Sequence, residues 1–145
     1  MALELVPLCT LHMQLKPPIV VGAGCAGRRV IVEVASIEVK GDRLRGEMMG
    51  AAAADWLLIG PEGTVTPDIR AALRTDDGAI IFIQYNGKIT GDWSQGPQLP
   101  ATVYVAPRFE TSDERYLWLN RIQAIGKGTL HEDGLSLDYE WYEVR

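Results

Sequence analysis

Few residues in this 145-residue chain suit metal or disulfide chemistry: it has two cysteines and two histidines. Cys9 and Cys25 cannot frame a disulfide scaffold, so a reduced, cytoplasmic chain is the expectation. His12 and His131 lack cysteine or carboxylate neighbours at ligand spacing, and no metal is expected. An excess of positive charge is also missing. The net charge is −5 and the arginines are scattered, which argues against nucleic acid or an anionic membrane as partner. No apolar run reaches the roughly 18 residues of a spanning helix. The opening "MALELVPLCTLHMQL" has no basic segment ahead of its apolar stretch and carries Glu4 and His12 within it, unlike a signal peptide. Internal repeats and low-complexity tracts are missing too. What remains is an ordinary globular balance, 47% hydrophobic and 23% charged. That supports one domain, 1–145, with a real core.

Gly22-Ala23-Gly24-Cys25-Ala26-Gly27 spells G-x-G-x-x-G. The dinucleotide fingerprint works only where a strand delivers these glycines to a helix N-terminus that holds pyrophosphate. Here Pro17-Pro18 cut the preceding strand to Ile19-Val20-Val21, and "RRVIVEVASIEVK" follows with β-branched residues and no helical stripe. Asp42 lies at about the right distance but sits in the turn-like "KGDR". The glycines read as a loop feeding a strand, and no cofactor is expected.

Period-two alternation dominates both ends of the chain. Leu3, Leu5, Cys9, Leu11, Met13 and Leu15 oppose Glu4, Thr10, His12 and Gln14, with Val6 and Leu8 out of phase. Leu135, Leu137, Tyr139 and Trp141 oppose Ser136, Asp138 and Glu140. Turn signals punctuate the interval at Gly41-Asp42, Pro61-Glu62-Gly63, Asp77-Gly78, Asn86-Gly87 and Asp133-Gly134. Of these, Asn-Gly is the strongest hairpin signal. The expected strands are approximately 3–15, 28–40, 43–49, 54–59, 65–75, 79–86, 102–110, 115–125 and 135–144. Short links imply antiparallel pairing, and so many strands must close or stack to hide their edges. The fold expected is all-β, a single closed antiparallel β-barrel, with a sandwich as the second choice. "MMGAAAADW" could instead form a helical turn. Thr111 and Glu114 at capping-box spacing allow a longer helix from 112, but one helical turn followed by a strand is the expectation, because the neighbours on both sides read as strands. "AIIFIQY" and "VIVEVASIEV" are apolar on both faces, so the outer wall should be covered, and a homo-oligomer is expected.

Polar groups beside apolar strands are the candidate site. Asp55, Arg70, Glu110 and Asp77 are the catalytic candidates. Arg29, Trp56, Tyr116, Trp118 and Asn120 are the substrate-binding candidates. If the strands close, these groups can line one end of the interior, the usual form of a small-molecule site. Each has a structural alternative: Asp77 as an Asx turn before Gly78, Asp55 as a backbone cap or as the ion-pair partner of Arg70, and Glu110 as a helix-entry residue. Trp56 and Trp118 can be core. Cys25 has no histidine near it to activate a thiolate.

Taken in order, "VGAGCAGRRVIV", "RLRGEMMGAAAADW", "DIRAALRTDDGAIIFIQYNG", "PRFETSDERYLWLN" and "YEWYEV" resemble the family catalogued as domain of unknown function 3237. The resemblance implies a single antiparallel barrel, similar in outline to allene oxide cyclase and lipocalin-like barrels. The matching positions are Gly27 with Arg28 or Arg29, Asp55-Trp56, Arg70, Thr75, Asp77-Gly78, Phe109-Glu110-Thr111, Tyr116 and Trp118-Leu119-Asn120. "GAAAADW" departs from a glycine-rich pattern, a change expected to narrow the pocket mouth, and "ASIEVKGD" lacks a typical glycine pair.

These readings point to a cofactor-independent acid–base enzyme, a lyase, isomerase or cyclase, acting on a small hydrophobic metabolite. A non-catalytic ligand-binding barrel uses the same pocket. A structural subunit with a satisfied polar core would need no pocket at all.

Overall fold

The structure, a computed structural model, describes residues 1–145. Its strands are β1 (Leu5–Leu15), β2 (Ile19–Gly24), β3 (Gly27–Lys40), β4 (Gly46–Met48), β5 (Ala54–Ile59) and β6 (Val65–Thr66). They continue with β7 (Asp68–Thr75), β8 (Ile80–Ile89), β9 (Ala101–Val105), β10 (Arg108–Glu110), β11 (Gln123–Leu130) and β12 (Ser136–Val144). A 3-10 helix, Glu114–Arg121, joins β10 to β11. Every pairing is antiparallel. β1 pairs with β12 on one side and β3 on the other, so the sheet closes on itself. The fold is a closed antiparallel β-barrel.

Several strands are halves of longer staves. β1 and β2 lie along the same edge of β3, interrupted at Lys16-Pro17-Pro18. β4 and β5 lie along its other edge. Pro67 separates β6 from β7, and Ala106-Pro107 separates β9 from β10, because proline cannot donate to a ladder. The phase break at Val6 and Leu8 is a bulge between Pro7 and Cys9 that turns Leu8 inward.

Three expectations are corrected. The segment expected as strand 115–125 begins as the 3-10 helix, capped by the Asp113 carboxylate on the Arg115 N–H, and becomes strand only at Gln123. Asn86-Gly87 is no hairpin turn, since β8 runs through it. Gly87 is there because the Tyr104 carbonyl of β9 crosses where a Cβ would stand. Gly22–Gly27 forms a β2–β3 hairpin, with Gly24 paired to Gly27 around Cys25-Ala26, and no helix follows to receive a pyrophosphate.

The barrel is filled at one end and hollow at the other. At the filled end, Trp141 stacks edge-on to Tyr85 with ring centroids 5.3 Å apart and to Phe109 at 5.9 Å. Edge-to-face geometry of this kind adds roughly 0.5–1.5 kcal/mol per pair beyond area burial. Room for these rings comes from β11, whose inward positions 126 and 128 are glycine. Leu119, fully buried, drives the 3-10 helix into that end as a plug. The expected apolar outer faces are only partly covered: Phe82 is half-buried, while Ile80 is 49% exposed.

Candidate functional site

The hollow end is a cavity of about 420 Å³, within the roughly 300–1,000 Å³ usual for small-molecule pockets. Val30, Val32, Leu57, Ile69 and Val103 form much of its wall. Alternation puts them there, because even-numbered residues of β3 up to Val34 and odd-numbered residues of β5 point inward. The rim carries exposed Pro18, Val20, Pro97 and Asp133. Three further groups break the apolar lining: Asp55, Tyr139 and Arg28.

Asp55 sits on β5, paired across the ladder with Val32 and with Ile69, and Ile69 pairs in turn with Tyr85. Its Oδ1 accepts the Asp68 N–H at 2.9 Å, just after the break at Pro67. No cation pairs with it. Burial therefore dominates, pushing its carboxyl up to about 7; the Asp68 N–H pulls the other way and the Asp68 charge adds to the rise. An amide would accept the same backbone bond without burying an ionisable group, so capping alone does not account for a carboxyl here.

Tyr139 on β12 is 2% exposed, and its hydroxyl has no protein hydrogen-bond partner. The Tyr85 hydroxyl beside it donates to the Met13 sulfur at 3.5 Å. Burial first, then the Tyr85 and Asp55 neighbours, raise Tyr139 well above the ordinary phenol range, so it stays a neutral donor. Arg28 stands half-buried near the mouth, its Nη2 donating to the Trp93 carbonyl at 2.7 Å.

Of the residues expected to share one chamber, only Asp55 reaches the cavity. Arg70 lies on the outer wall over the Trp56 ring, 5.9 Å from its centroid, and not against Asp55. Arg29, also outside, donates to the Trp56 carbonyl at 2.7 Å. Asp77, Tyr116, Trp118, Asn120 and Glu110 belong to the opposite, plugged end. There the Tyr116 hydroxyl donates to Asp77 at 2.9 Å, and the Thr75 hydroxyl donates to the same carboxylate. The Thr75 bond leads in holding the Asp77 carboxyl below its usual value. Asn120 ties the plug to β10, accepting from the Thr111 N–H at 2.8 Å and donating to its carbonyl at 2.9 Å. Trp118 packs under the Arg43 guanidinium, 5.3 Å from its centroid. Glu110 is exposed. Apart from Glu110, these groups latch the plug. The alanines of "GAAAADW" do not line the cavity, so they do not narrow its mouth.

Two cavity groups were not among the expected site residues. Tyr139 looked like one more large residue on the buried face of the last strand. Arg28 and Arg29 are chain neighbours on a strand, so one must face in, and the parity fell to Arg28. On the outer wall, His12 and His131 each hold one oxygen of Asp138 at 2.6 Å, a cluster brought together by strand pairing alone.

Residues 3–144 match the family described as protein of unknown function, DUF3237. The chain belongs to this family. Among its relatives is a UPF0311 protein of Rhodopseudomonas palustris, 29% identical over 121 residues, covering 77% of this chain and 78% of the relative. A second, named hydroalkoxylation enzyme phnH, comes from Penicillium herquei and is 31% identical over 88 residues, covering 61% of this chain and 49% of the relative. Among solved structures, a β-barrel-like protein of Acinetobacter baumannii superposes with a TM-score of 0.86 at 28% identity, covering 100% of this chain and 98% of that one. No helix of this DUF3237 member is long and apolar enough to cross a membrane.

Proposed function

We propose that this DUF3237 protein is a cofactor-independent proton-transfer enzyme acting on a small, unsaturated, hydrophobic molecule that carries an oxygen. The observation that carries the reading is Asp55, a carboxyl with no cation partner in the wall of an apolar cavity, poised near 7 by burial. A group with a pKa near the working pH both takes and returns protons efficiently. Tyr139 lines the same cavity, and its neutral, buried O–H has no protein partner. Together they suit addition of a hydroxyl across a conjugated double bond. The Asp55 carboxylate takes the hydroxyl proton as the C–O bond forms. The π pair moves to the carbonyl oxygen, which receives the Tyr139 hydrogen bond. Asp55 then returns the proton to carbon, so nothing is oxidised or reduced. The reverse is a lyase step and the intramolecular case a cyclisation. The name of the Penicillium herquei relative supports chemistry of this type.

Two measurements test the reading. Titration of a ¹³C-labelled Asp55 carboxyl should give a midpoint near 7; a midpoint in the ordinary carboxylate range would overturn it. With 2′-hydroxychalcone as probe, the wild type should form flavanone with enantiomeric excess, and Asp55→Asn should lose roughly 10²–10⁴ of the rate. Racemic product at the buffer rate from the wild type would count against the reaction type.

A further inference from the structure

Arg28 is the single arginine among the cavity-lining residues, and it takes part in none of the ion pairs of the molecule. Its guanidinium carries five donors. One of these holds the Trp93 carbonyl, which fixes the side chain against the loop after β8. Asp133 also borders the cavity, but its Oδ1 accepts the Leu135 N–H at 2.9 Å and the Ser136 hydroxyl at 3.0 Å, so its own loop occupies it. Further in, Asp55 pairs with Val32, four residues along β3 from Arg28. At about 3.3 Å per residue the two levels are roughly 13 Å apart along the strand. Between them the wall is Val30 and its cross-strand partner Leu57, both apolar. The cavity is therefore graded: a fixed cation at the mouth, an apolar middle, and the proton-transfer groups at the inner end.

We propose that the ligand is an elongated apolar acid, its carboxylate held by Arg28 at the mouth and its reacting end beside Asp55 and Tyr139. The proposal rests on the cavity being the ligand site, but not on Asp55 being catalytic. Because the Trp93 carbonyl already aims the guanidinium, a carboxylate meets a preorganised, charge-assisted donor. Asp55 lies too deep to compete for it.

The test is displacement of the neutral fluorescent reporter N-phenyl-1-naphthylamine by decanoate, 1-decanol and decylamine at pH 7.5. In the wild type, decanoate should displace the reporter at least tenfold more tightly than 1-decanol, and decylamine should be weakest. Arg28→Gln should bring acid and alcohol together, while Arg28→Lys should retain the acid preference. Should Arg28→Gln fail to fold, the three-ligand comparison in the wild type and the lysine variant still decide. Equal displacement by acid and alcohol in the wild type would overturn the proposal, as would an acid preference that survives Arg28→Gln. Asp55→Asn should keep the acid preference. An acid preference combined with full turnover in Asp55→Asn would remove the catalytic reading while leaving this one standing.

Discussion

Gly128 stands where a Cβ would lie 2.5 Å from the Cδ1 ring carbon of Tyr139. The ring that carries the unpartnered hydroxyl thus occupies the space a side chain on β11 would have taken. Gly126 yields in the same way to the Trp141 indole. Two small residues on one strand therefore set where the aromatic floor of the cavity sits.

Gly128→Ala should displace Tyr139 and destabilise the barrel by about 1–3 kcal/mol, the usual cost of overpacking. Because the Asp138 carbonyl also lies 2.5 Å from that Cβ position, the neighbouring backbone cannot easily give way. Denaturant unfolding would show the loss as a lower midpoint with an unchanged slope, and an undiminished midpoint would contradict the packing account.

Asp55 should make the protein less stable as pH rises. Its folded-state pKa, about 7, lies above the ordinary value of 3.8, so the folded chain holds its proton longer than the unfolded one. The resulting stabilisation is complete below pH 4 and is lost as pH climbs through 7, by something on the order of 4 kcal/mol. Asp55→Asn should flatten that decline and be more stable than wild type at pH 8. Chemical denaturation at pH 4, 6 and 8 reads the difference directly.

Tyr139→Phe should hold or raise the melting temperature. Removing a buried hydroxyl with no protein partner relieves a desolvation cost of about 1–3 kcal/mol, which for this chain length corresponds to roughly 2–12 °C. The same change should slow turnover of 2′-hydroxychalcone, because the carbonyl oxygen loses its donor. A variant that melts lower while reacting normally would assign Tyr139 to packing alone.

Thr75→Val should weaken the plugged end without touching the cavity. Thr75 is 3% exposed, and its Oγ1 both donates to Asp77 and accepts the buried Ala79 N–H at 2.8 Å. Valine leaves that N–H unpaired, at a cost of about 1–3 kcal/mol. Reporter affinity for the cavity should be unchanged. In the wild type the lowered Asp77 pKa places this latch's stabilisation above the ordinary carboxylate range, and it fades as pH falls through the lowered value.

The barrel was legible in the sequence because its signals are local. Alternation in Leu11–Leu15 and Leu135–Trp141 marks one face of each strand, and short turns leave only antiparallel pairing. Where sequence reading failed, long-range contact had overridden a local preference. Asn86-Gly87 looks like a hairpin turn until the Tyr104 carbonyl claims the glycine. "RYLWL" looks like strand until Leu119 is drawn into the end of the barrel.

Residue chemistry alone marked Asp55 as worth examining, since a carboxyl inside an apolar strand has to be paired, capped or protonated. Which of these holds was a tertiary decision. Arg70, fifteen residues on, pairs with Ala54 in the neighbouring strand and faces outward over Trp56, leaving Asp55 without a cation. Likewise the sequence named Asp77, Tyr116 and Asn120 as polar groups but could not say which end of the barrel they close. Composition and periodicity determined a ring of strands with an apolar lumen. Only the way the staves meet decided which end fills with aromatic rings and which stays hollow, because that depends on inward residues from strands far apart in the chain.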